Sequence, residues 1–219
     1  MSDPLGPSTM TPPAPRAPAD RLDALVEQLA TSGYAVADDI LPLPLVARLR
    51  SELIALAEAG QLGTAGIGRE AAYRRDGDIR RAAIRWLDGG TEAERDLFAL
   101  AETLRRAINA RLYLGLFDFE CNYIAYPVGG FYGRHLDRLQ GDRNRVVSFV
   151  AYLDPDWSEA DGGALRLWRD PDDAGEPVET VLPRAGRTVL MLSEDIPHEV
   201  LPAHRPRHAI AGWWRINRA

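Results

Sequence analysis

The chain has 219 residues, of which 46% are hydrophobic and 26% are charged, and its formal net charge is -6. These values are ordinary for a soluble protein with one substantial domain, or at most two small ones. The charge argues against a nucleic-acid partner, no apolar run is long enough to span a membrane, and the N-terminus lacks a signal-peptide pattern. A single cysteine, Cys121, cannot form an intramolecular disulfide, which favours a cytoplasmic location and a buried core thiol.

The composition changes twice along the chain. Residues 1–19 are rich in Pro, Ala, Ser and Thr, which predicts a disordered tail because too little apolar surface is available to offset the ordering entropy. The remainder, 20–219, is predicted to be a single domain. Its first part, 20–115, has helical periodicity, whereas 116–219 consists of short apolar runs typical of strands.

Three helices and one strand are predicted in the first part. Boundary signals for the first two helices are Asp20 as a cap, Gly33 after the end, Pro44 in the first turn of the second helix, and Gly60 after it. Between them, Tyr34–Ala37 has the composition of a short strand. Thr91 with Glu94 three residues later is a capping box, which indicates the start of a third helix.

The segment 61–90 is irregular and rich in Gly and Arg. It can be a solvated loop or a mobile segment that contacts a substrate, and composition alone favours the loop. The part after residue 115 alternates short β-branched or aromatic runs with Gly, Pro and Asp clusters, which predicts antiparallel strands in a sandwich or barrel. The predicted strands are Phe119–Tyr126, Val146–Leu153, Ala164–Trp168, Val178–Leu182, Thr188–Leu192 and His208–Trp214.

His135 and Asp137 are two residues apart, so on an extended strand both side chains point to one face. A second imidazole would complete a two-His-one-carboxylate face, which leaves coordination positions open and suits ferrous iron. Taken alone, the pair is weak evidence for a metal site, because a surface polar pair on a sheet edge would show the same His-x-Asp pattern. His198 supplies the second imidazole better than His204, which lies in a proline-rich turn with poorer geometry for a strand-end ligand.

Arg207 follows His198 by nine residues and opens the last predicted strand. A hairpin would place the start of that strand beside the end of Thr188–Leu192, and the guanidinium would then lie near the metal. Arginine suits bidentate capture of a carboxylate, so the pattern favours a site for a 2-oxo acid. Gly162 and Gly163 are read as a turn between strands and not as a phosphate cradle, since no helix start follows them.

Five blocks together resemble the iron(II)/2-oxoglutarate-dependent dioxygenases, in the prolyl 4-hydroxylase branch that includes hypoxia-inducible-factor-type enzymes and bacterial relatives. They occur in the family's order and spacing over about residues 60–219. The blocks are Tyr126-Pro127 with Tyr132-Gly133-Arg134-His135-Leu136-Asp137; Tyr152-Leu153 with Trp157; Gly162-Gly163-Ala164-Leu165-Arg166-Leu167; Pro197-His198-Glu199-Val200; and Arg207 with Gly212-Trp213.

The resemblance implies a fold and a set of site residues. The fold is α+β, a double-stranded β-helix (jelly-roll) of antiparallel strands with supporting N-terminal helices. The implied iron ligands are His135, Asp137 and His198. The implied 2-oxoglutarate residues are Arg207, Tyr152, Tyr126 and Trp213, and the implied substrate contacts are Arg145, Arg80 and Trp86. Catalysis is centred on iron, with no separate acid or base. Without the resemblance, the three aromatic residues Tyr126, Tyr152 and Trp213 read as core.

The resemblance also implies a reaction. Iron(II), 2-oxoglutarate and O2, with ascorbate as a further candidate cofactor, would support hydroxylation with release of succinate and carbon dioxide. A prolyl residue in a protein is the favoured substrate. A free amino acid or another small molecule is the alternative, as is a non-catalytic binding module of the same fold. A zinc hydrolase with the same three ligands would leave Arg207 and Tyr152 unexplained.

Two positions depart from the family pattern. Ala82 stands where relatives often have an aspartate that shapes the peptide cleft, and Ala211 stands where a threonine often supports 2-oxoglutarate. The first departure concerns how a peptide would bind, and the second predicts modestly weaker cosubstrate binding. Neither touches the expected metal ligands.

Overall fold

Three helices cover one face of a seven-stranded sheet, and a four-stranded sheet covers the other face. The structure is a computed structural model that describes residues 18–38, 40–64, 80–137, 144–172 and 175–217. The predicted disordered tail therefore lies outside the described residues, except for Pro18 and Ala19. No helix in the described ranges combines the length and apolarity needed to cross a membrane.

The helices are α1 (Pro18–Ser32), α2 (Leu43–Glu58) and α3 (Glu92–Leu112). Helix α1 begins two residues before the predicted cap, so Asp20 lies in its first turn, where a carboxylate interacts favourably with the helix dipole. Proline at the first helical position costs little because that N–H has no partner inside the helix. Gly33 ends α1 with φ of 76°, in the left-handed region that favours glycine.

The predicted capping box of α3 is half formed. The Thr91 hydroxyl accepts a hydrogen bond from the Glu94 backbone N–H at 3.1 Å. The Glu94 carboxylate turns instead to the preceding loop, where it accepts from the N–H groups of Asp88, Gly89 and Gly90 at 3.3, 2.8 and 3.1 Å. Glu94 is buried, so these bonds satisfy its charge and fix the loop that precedes α3.

In the described ranges, eleven strands form the two sheets. They are β1 (Tyr34–Ala37), β2 (Gly63–Thr64), β3 (Ala83–Trp86), β4 (Leu116–Tyr126), β5 (Tyr132–His135), β6 (Arg145–Tyr152), β7 (Leu165–Leu167), β8 (Glu179–Val181), β9 (Thr188–Leu192), β10 (His198–Val200) and β11 (Arg207–Ile216). The large sheet has the order β1-β9-β6-β11-β4-β3-β2, and the small sheet has the order β5-β10-β7-β8. The pairings are antiparallel, as expected.

The segment 61–90 is more ordered than its composition indicates. Strand β3 lies within it and pairs with β4 in a register that joins Trp86 to Asn122. The interpretation of 61–90 as a loop is therefore wrong for β2 and β3, while residues 65–79 lie outside the described part. The strands β5 and β10 are also missing from the predicted strands, because neither segment is a β-branched or aromatic run between turn residues.

The predicted hairpin between the last two long strands does not form. Strand β6 lies between β9 and β11, and it pairs with both. The reason is that the chain leaves the large sheet after β9, adds β10 to the small sheet, and only then returns as β11. Arg207 therefore reaches the space between the sheets from the centre of the large sheet and not beside β9.

Two apolar clusters divide along the faces of the large sheet. One joins the helices to the outer face and includes Leu49, Leu97 and Trp214. The other fills the space between the sheets and includes Tyr152, Leu167 and Met191. Because side chains alternate along a strand, β1, β4, β6, β9 and β11 each supply both clusters.

A buried carboxylate ties α2 to the centre of the large sheet. Asp154 accepts hydrogen bonds from the His208 N–H at 2.6 Å and from the Arg50 Nε at 3.0 Å, and His208 Nδ1 lies 2.8 Å away. Burial alone would raise the pKa of Asp154, but its hydrogen bonds to His208 and Arg50 outweigh burial and leave the pKa below its ordinary value. The ionised form therefore stabilises the folded state.

We expect Asp154→Asn to lower the free energy of unfolding by about 1–3 kcal/mol at pH 7, because the donors of His208 and Arg50 lose a charged acceptor at a buried position. A depressed pKa stabilises the fold above the unfolded value, near pH 4, and this stabilisation is lost as the pH falls through the folded pKa. The difference between variant and wild type should thus shrink in acid. Denaturant titrations between pH 3 and 7 measure it, with the exposed Asp172→Asn as control. A difference that does not change with pH would contradict the argument.

Candidate active site

The two histidines predicted as metal ligands lie opposite each other on paired strands. In the small sheet, His198 of β10 is the cross-strand partner of His135 of β5. Their ring centroids are 4.3 Å apart, and one nitrogen of each ring and a carboxylate oxygen of Asp137 lie within 4.8 Å of one another. Asp137 follows β5 by two residues, so the predicted three-residue face is present.

Backbone carbonyls orient both imidazoles. His135 Nδ1 lies 2.7 Å from the Gly133 carbonyl, and His198 Nδ1 lies 3.0 Å from the Ile196 carbonyl. A carbonyl can only accept, so each Nδ1 carries the proton and each Nε2 has a lone pair available. Both Nε2 atoms lie 3.6 Å from an oxygen of Asp137. This is the tautomer that a metal ligand requires.

Burial and neighbouring charge set the ionisation of the three ligands. His198 is 5% exposed, and burial, followed by the His135 ring, lowers its pKa to about 4. Burial alone would raise the pKa of Asp137, but the two imidazoles and a serine hydroxyl outweigh burial and hold it well below its usual range. At neutral pH the set therefore presents a neutral imidazole at His198 and an ionised carboxylate, as metal ligation requires.

Ser148 is a site residue that the sequence did not reveal. Its hydroxyl donates to Asp137 Oδ2 at 2.7 Å and lies 2.8 Å from the hydroxyl of Ser193. Both serines are buried. The pair holds the carboxylate from the β6 side, and a single serine within an apolar strand gives no signal of such a role.

Arg207 places a buried guanidinium at one end of the space between the sheets. The residue is 1% exposed, and its Nε donates to the Gly163 carbonyl at 2.9 Å. Its Cζ lies 4.9 Å from the ring centroid of Tyr126 and 5.1 Å from that of Tyr152. In the described part of the chain it has no carboxylate partner. An unpaired buried charge costs several kcal/mol, which indicates a place for an anion.

Tyr152 lies beside Arg207 and is fully buried. Burial raises its pKa to about 12, so the hydroxyl keeps its proton. The guanidinium is close enough to affect this pKa, but no hydrogen bond of normal geometry joins the two groups, and the hydroxyl has no other partner among the described residues. A protonated hydroxyl without an acceptor next to an unpaired guanidinium fits a bound carboxylate.

Aromatic and basic residues predicted to contact a substrate lie nearer the metal. The Arg80 Cζ lies 4.6 Å from the Tyr132 ring, which stacks on His135 with ring centroids 3.5 Å apart. Trp213 is covered by the Arg145 guanidinium, 3.7 Å from its centroid, and lies 6.1 Å from Trp86.

These residues differ in how accessible they are. Arg145 is buried and donates twice to Glu120 Oε1, at 2.9 and 2.7 Å, so it supports Trp213 from behind. Trp86 is 47% exposed and forms an open edge. The structure thus brings Trp86 and Trp213 together but places Arg145 in an existing ion pair.

The other residues that the sequence analysis considered do not contribute side chains to the metal triad. His204 is exposed and its Nδ1 lies 2.8 Å from the Ala160 carbonyl. Gly162 and Gly163 form a turn with φ of 62° and 66°. A Cβ on Gly163 would lie 3.0 Å from Arg207 Cδ, so glycine leaves room for the arginine stem. Cys121 is buried on the helix side, where burial raises its thiol pKa.

The donor set and its surroundings together fit iron(II). Two imidazole nitrogens and one carboxylate on a single face leave the other positions open, the arrangement of non-haem iron(II) oxygenases. Arg207, which has no carboxylate partner among the described residues, and the Tyr152 hydroxyl lie between the same two sheets, and they fit a cosubstrate with a carboxylate far from the metal. The residues present therefore suit iron(II) and a 2-oxo diacid together.

Comparison with known proteins decides the family. The model of the 2OG-Fe(II) oxygenase superfamily matches residues 121–215. A Pseudomonas putida prolyl-4-hydroxylase structure is 43% identical, with a TM-score of 0.79, over 89% of this chain and 98% of that one. This chain belongs to the 2OG-Fe(II) oxygenase superfamily. It is prolyl hydroxylase-like, its cofactors are iron(II) and 2-oxoglutarate, and His135, Asp137 and His198 are its iron-binding triad.

Two further relatives of this oxygenase bear on its branch. A Trichoplax adhaerens prolyl hydroxylase, in complex with a hypoxia-inducible-factor oxygen degradation domain peptide, is 26% identical with a TM-score of 0.81 over 90% of each chain. Egl nine homolog 1 of Homo sapiens is 29% identical over 88% of this chain and 46% of its own length. The chain spans about half the length of the curated relatives it matches.

Ser148→Ala tests how the oxygenase holds its metal. We expect iron(II) affinity to fall about 10–100-fold, because the Asp137 carboxylate loses the hydroxyl that fixes its direction. Anaerobic titration with iron(II) measures the change. Ser148→Thr, which keeps a hydroxyl, should retain most of the affinity, and Ser51→Ala on exposed α2 should retain all of it. Unaltered affinity in Ser148→Ala would refute the role.

Proposed function

We propose that this oxygenase hydroxylates a prolyl residue in a protein or peptide and uses Arg207 to hold 2-oxoglutarate. The observation that carries the proposal is the buried, unpaired guanidinium of Arg207 beside the unpartnered Tyr152 hydroxyl. Two such buried groups side by side form a site for the carboxylate of a diacid. A zinc hydrolase with the same triad has no use for them.

Each group has a distinct task in this proposal. Arg207 supplies charge-assisted hydrogen bonds to the distal carboxylate, and Tyr152 donates one more because its raised pKa keeps the proton in place. Tyr126 and Trp213 form the walls, and both are buried. The walls exclude water, which strengthens the electrostatic interactions inside the cavity.

The cofactor supplies the oxidation. Iron(II) with 2-oxoglutarate and O2 inserts one oxygen atom into a substrate C–H bond, and the other products are succinate and carbon dioxide. The protein contributes an open coordination face, a fixed cosubstrate and a cavity shielded from solvent. The triad provides the iron ligands through the oriented Nε2 atoms and the Asp137 carboxylate. Because the oxidation is centred on iron, the proposal needs no further acid or base residue.

The substrate would meet the open edge beside the metal. Trp86 is exposed next to Trp213, and the Arg80–Tyr132 stack lies on His135, so an apolar ring such as proline could pack there. Ala82 is buried against the cluster between the sheets. Ala82 has no carboxylate, whereas relatives often have an aspartate at this position. A peptide-binding arginine nearby therefore needs a different partner.

The relatives favour a protein substrate over a small molecule. The Trichoplax adhaerens enzyme is described in complex with a peptide fragment, and the Pseudomonas putida enzyme is a prolyl-4-hydroxylase. The single domain 20–219, a cytoplasmic location and a role for ascorbate stay predictions from the sequence.

Arg207→Gln should lower 2-oxoglutarate affinity by about 100-fold, because a charge-assisted bidentate contact is lost. Glutamine can still donate to the Gly163 carbonyl, so the turn should persist. Iron(II) affinity should not change. The measurement is anaerobic titration of the iron(II) protein with 2-oxoglutarate, followed by the weak visible charge-transfer band.

The matched control for that experiment is Arg205→Ala. Arg205 carries the same charge two residues earlier and contacts the Pro155 carbonyl and the Trp157 ring. Its loss should leave 2-oxoglutarate affinity intact. Equal affinity in Arg207→Gln and wild type would remove Arg207 from the cosubstrate site.

Incubation of the protein with a cell lysate and with proline-containing peptides tests the substrate class. We expect a mass increase of one oxygen atom on proline, with succinate formed in proportion and both absent in His198→Ala. Turnover only with free amino acids or other small molecules would overturn the protein-substrate proposal while leaving the oxygenase intact. Cosubstrate binding without turnover on either class would favour the binding-module alternative.

A further inference from the structure

Asn122 is a polar residue on the inner face of the large sheet. Its neighbours in sequence, Cys121 and Tyr123, belong to the cluster under the helices, whereas Ile124 and Tyr126 belong to the cluster between the sheets. Side chains alternate along a strand, so Asn122 projects with Ile124 and Tyr126 toward the small sheet and the metal site. Asn122 is not among the site residues that the resemblance implied.

The oxygen of the Asn122 carboxamide is a hydrogen-bond acceptor that no described residue satisfies. The residue is 1% exposed, and its Oδ1 is buried without a partner among the described residues. Its cross-strand neighbours are Ala211 on β11 and Trp86 on β3. Ala211 offers only a methyl group, and Val150 beyond it on β6 is also apolar. A buried polar group without a partner is costly, which indicates that a bound molecule completes it.

The position of Asn122 lies between the two ends of the site. Along β11, Arg207 marks the carboxylate end, and Trp213, whose partner on β6 is Ser148, marks the metal end. Ala211, the partner of Asn122, lies between them on the same face. Ser148 donates to the iron ligand Asp137, so Asn122 is one step along the sheet from the row that holds the metal.

We propose that the Asn122 carboxamide hydrogen-bonds the metal-proximal end of bound 2-oxoglutarate, at its 2-oxo or C1 carboxylate oxygens. The proposal rests on the cosubstrate site of the proposed function. A half-turn of the carboxamide presents its NH2 group, which is a donor without a titratable charge. Arg207 and Tyr152 bind the distal carboxylate of any suitable diacid. A donor at the metal end adds a hydrogen bond to the 2-oxo acid group, so it favours a 2-oxo acid over a simple diacid.

Depth decides between the cosubstrate and the peptide. Asn122 and Trp86 lie side by side in one cross-strand row, yet Trp86 is 47% exposed while Asn122 is sealed. A peptide that approaches from solvent meets Trp86 first. A small diacid bound between Arg207 and the triad lies at the depth of Asn122.

Thr188 provides a matched control. It is buried, its Oγ1 has no partner among the described residues, and its cross-strand partner Ala151 belongs to the cluster under the helices. Thr188 is therefore an unpartnered polar residue of the same sheet that faces away from the site. Asn122→Leu and Thr188→Val both remove such a group, and both should fold at least as well as wild type.

The experiment is anaerobic titration of each iron(II)-loaded variant with 2-oxoglutarate and with succinate. For Asn122→Leu we expect a roughly 10-fold loss of 2-oxoglutarate affinity, a displaced charge-transfer band and a smaller change for succinate. Iron(II) affinity should equal that of wild type, and Thr188→Val should match wild type throughout. Asn122→Ala serves as a second variant if leucine disturbs packing.

Each outcome separates the two proposals. Wild-type affinity and an undisplaced band in both Asn122 variants, with affinity lost in Arg207→Gln, would overturn the role of Asn122 and leave the proposed function standing. A raised KM for a proline-containing peptide, with 2-oxoglutarate affinity unchanged, would assign Asn122 to the substrate and also overturn this inference. If wild type itself binds no 2-oxoglutarate, the proposed function fails, and this inference fails with it.

Discussion

The register between β5 and β10 is the constraint on which the active site depends. It sets His135 directly opposite His198, and each ring then reaches a backbone carbonyl that fixes its tautomer. A slip of one residue would turn His198 to the opposite face of the sheet and dismantle the metal site. Strands as short as β5 and β10 cannot fix this register by themselves. Strand β7, which pairs with the other edge of β10, helps to fix it.

The site also concentrates polar groups whose partners are not in the chain. Arg207, Tyr152 and Asn122 are all buried; the Tyr152 hydroxyl and the Asn122 Oδ1 have no partner among the described residues, and Arg207 has no carboxylate partner there. Placing them together between two apolar sheets lowers the stability of the empty protein. Cosubstrate binding should recover that free energy, which couples the stability of the fold to the occupancy of the site.

How far the sequence alone predicts this arrangement depends on the kind of signal. His135, Asp137 and His198 could be found because the chain has few histidines and a spacing of two has a clear meaning on a strand. The long strands could be found because β-branched and aromatic runs between turn residues are typical of them. The hairpin that was expected to bring Arg207 to the site is wrong, since proximity in sequence gives no warning that β10 joins the other sheet.

Other features had no local signal at all. Ser148 and Asn122 look like ordinary polar residues in strands, and only the pairing of β6, β11 and β4 shows which way they point. Composition predicts a loop at strand β3 because Gly and Arg surround it, but pairing with β4 overrides composition. Helix α3 shows an intermediate case, in which Thr91 caps as predicted but Glu94 satisfies the neighbouring loop.

The strands at the edges of both sheets have a further consequence for how the protein behaves in concentrated solution. Among the described residues, β1 and β2 border the large sheet with four and two residues, and β5 and β8 border the small sheet with four and three. Short borders expose little unpaired backbone, so another chain finds a poor template for strand addition. Contacts between copies must then rely on side chains, and a net charge of -6 makes those contacts repulsive at low ionic strength.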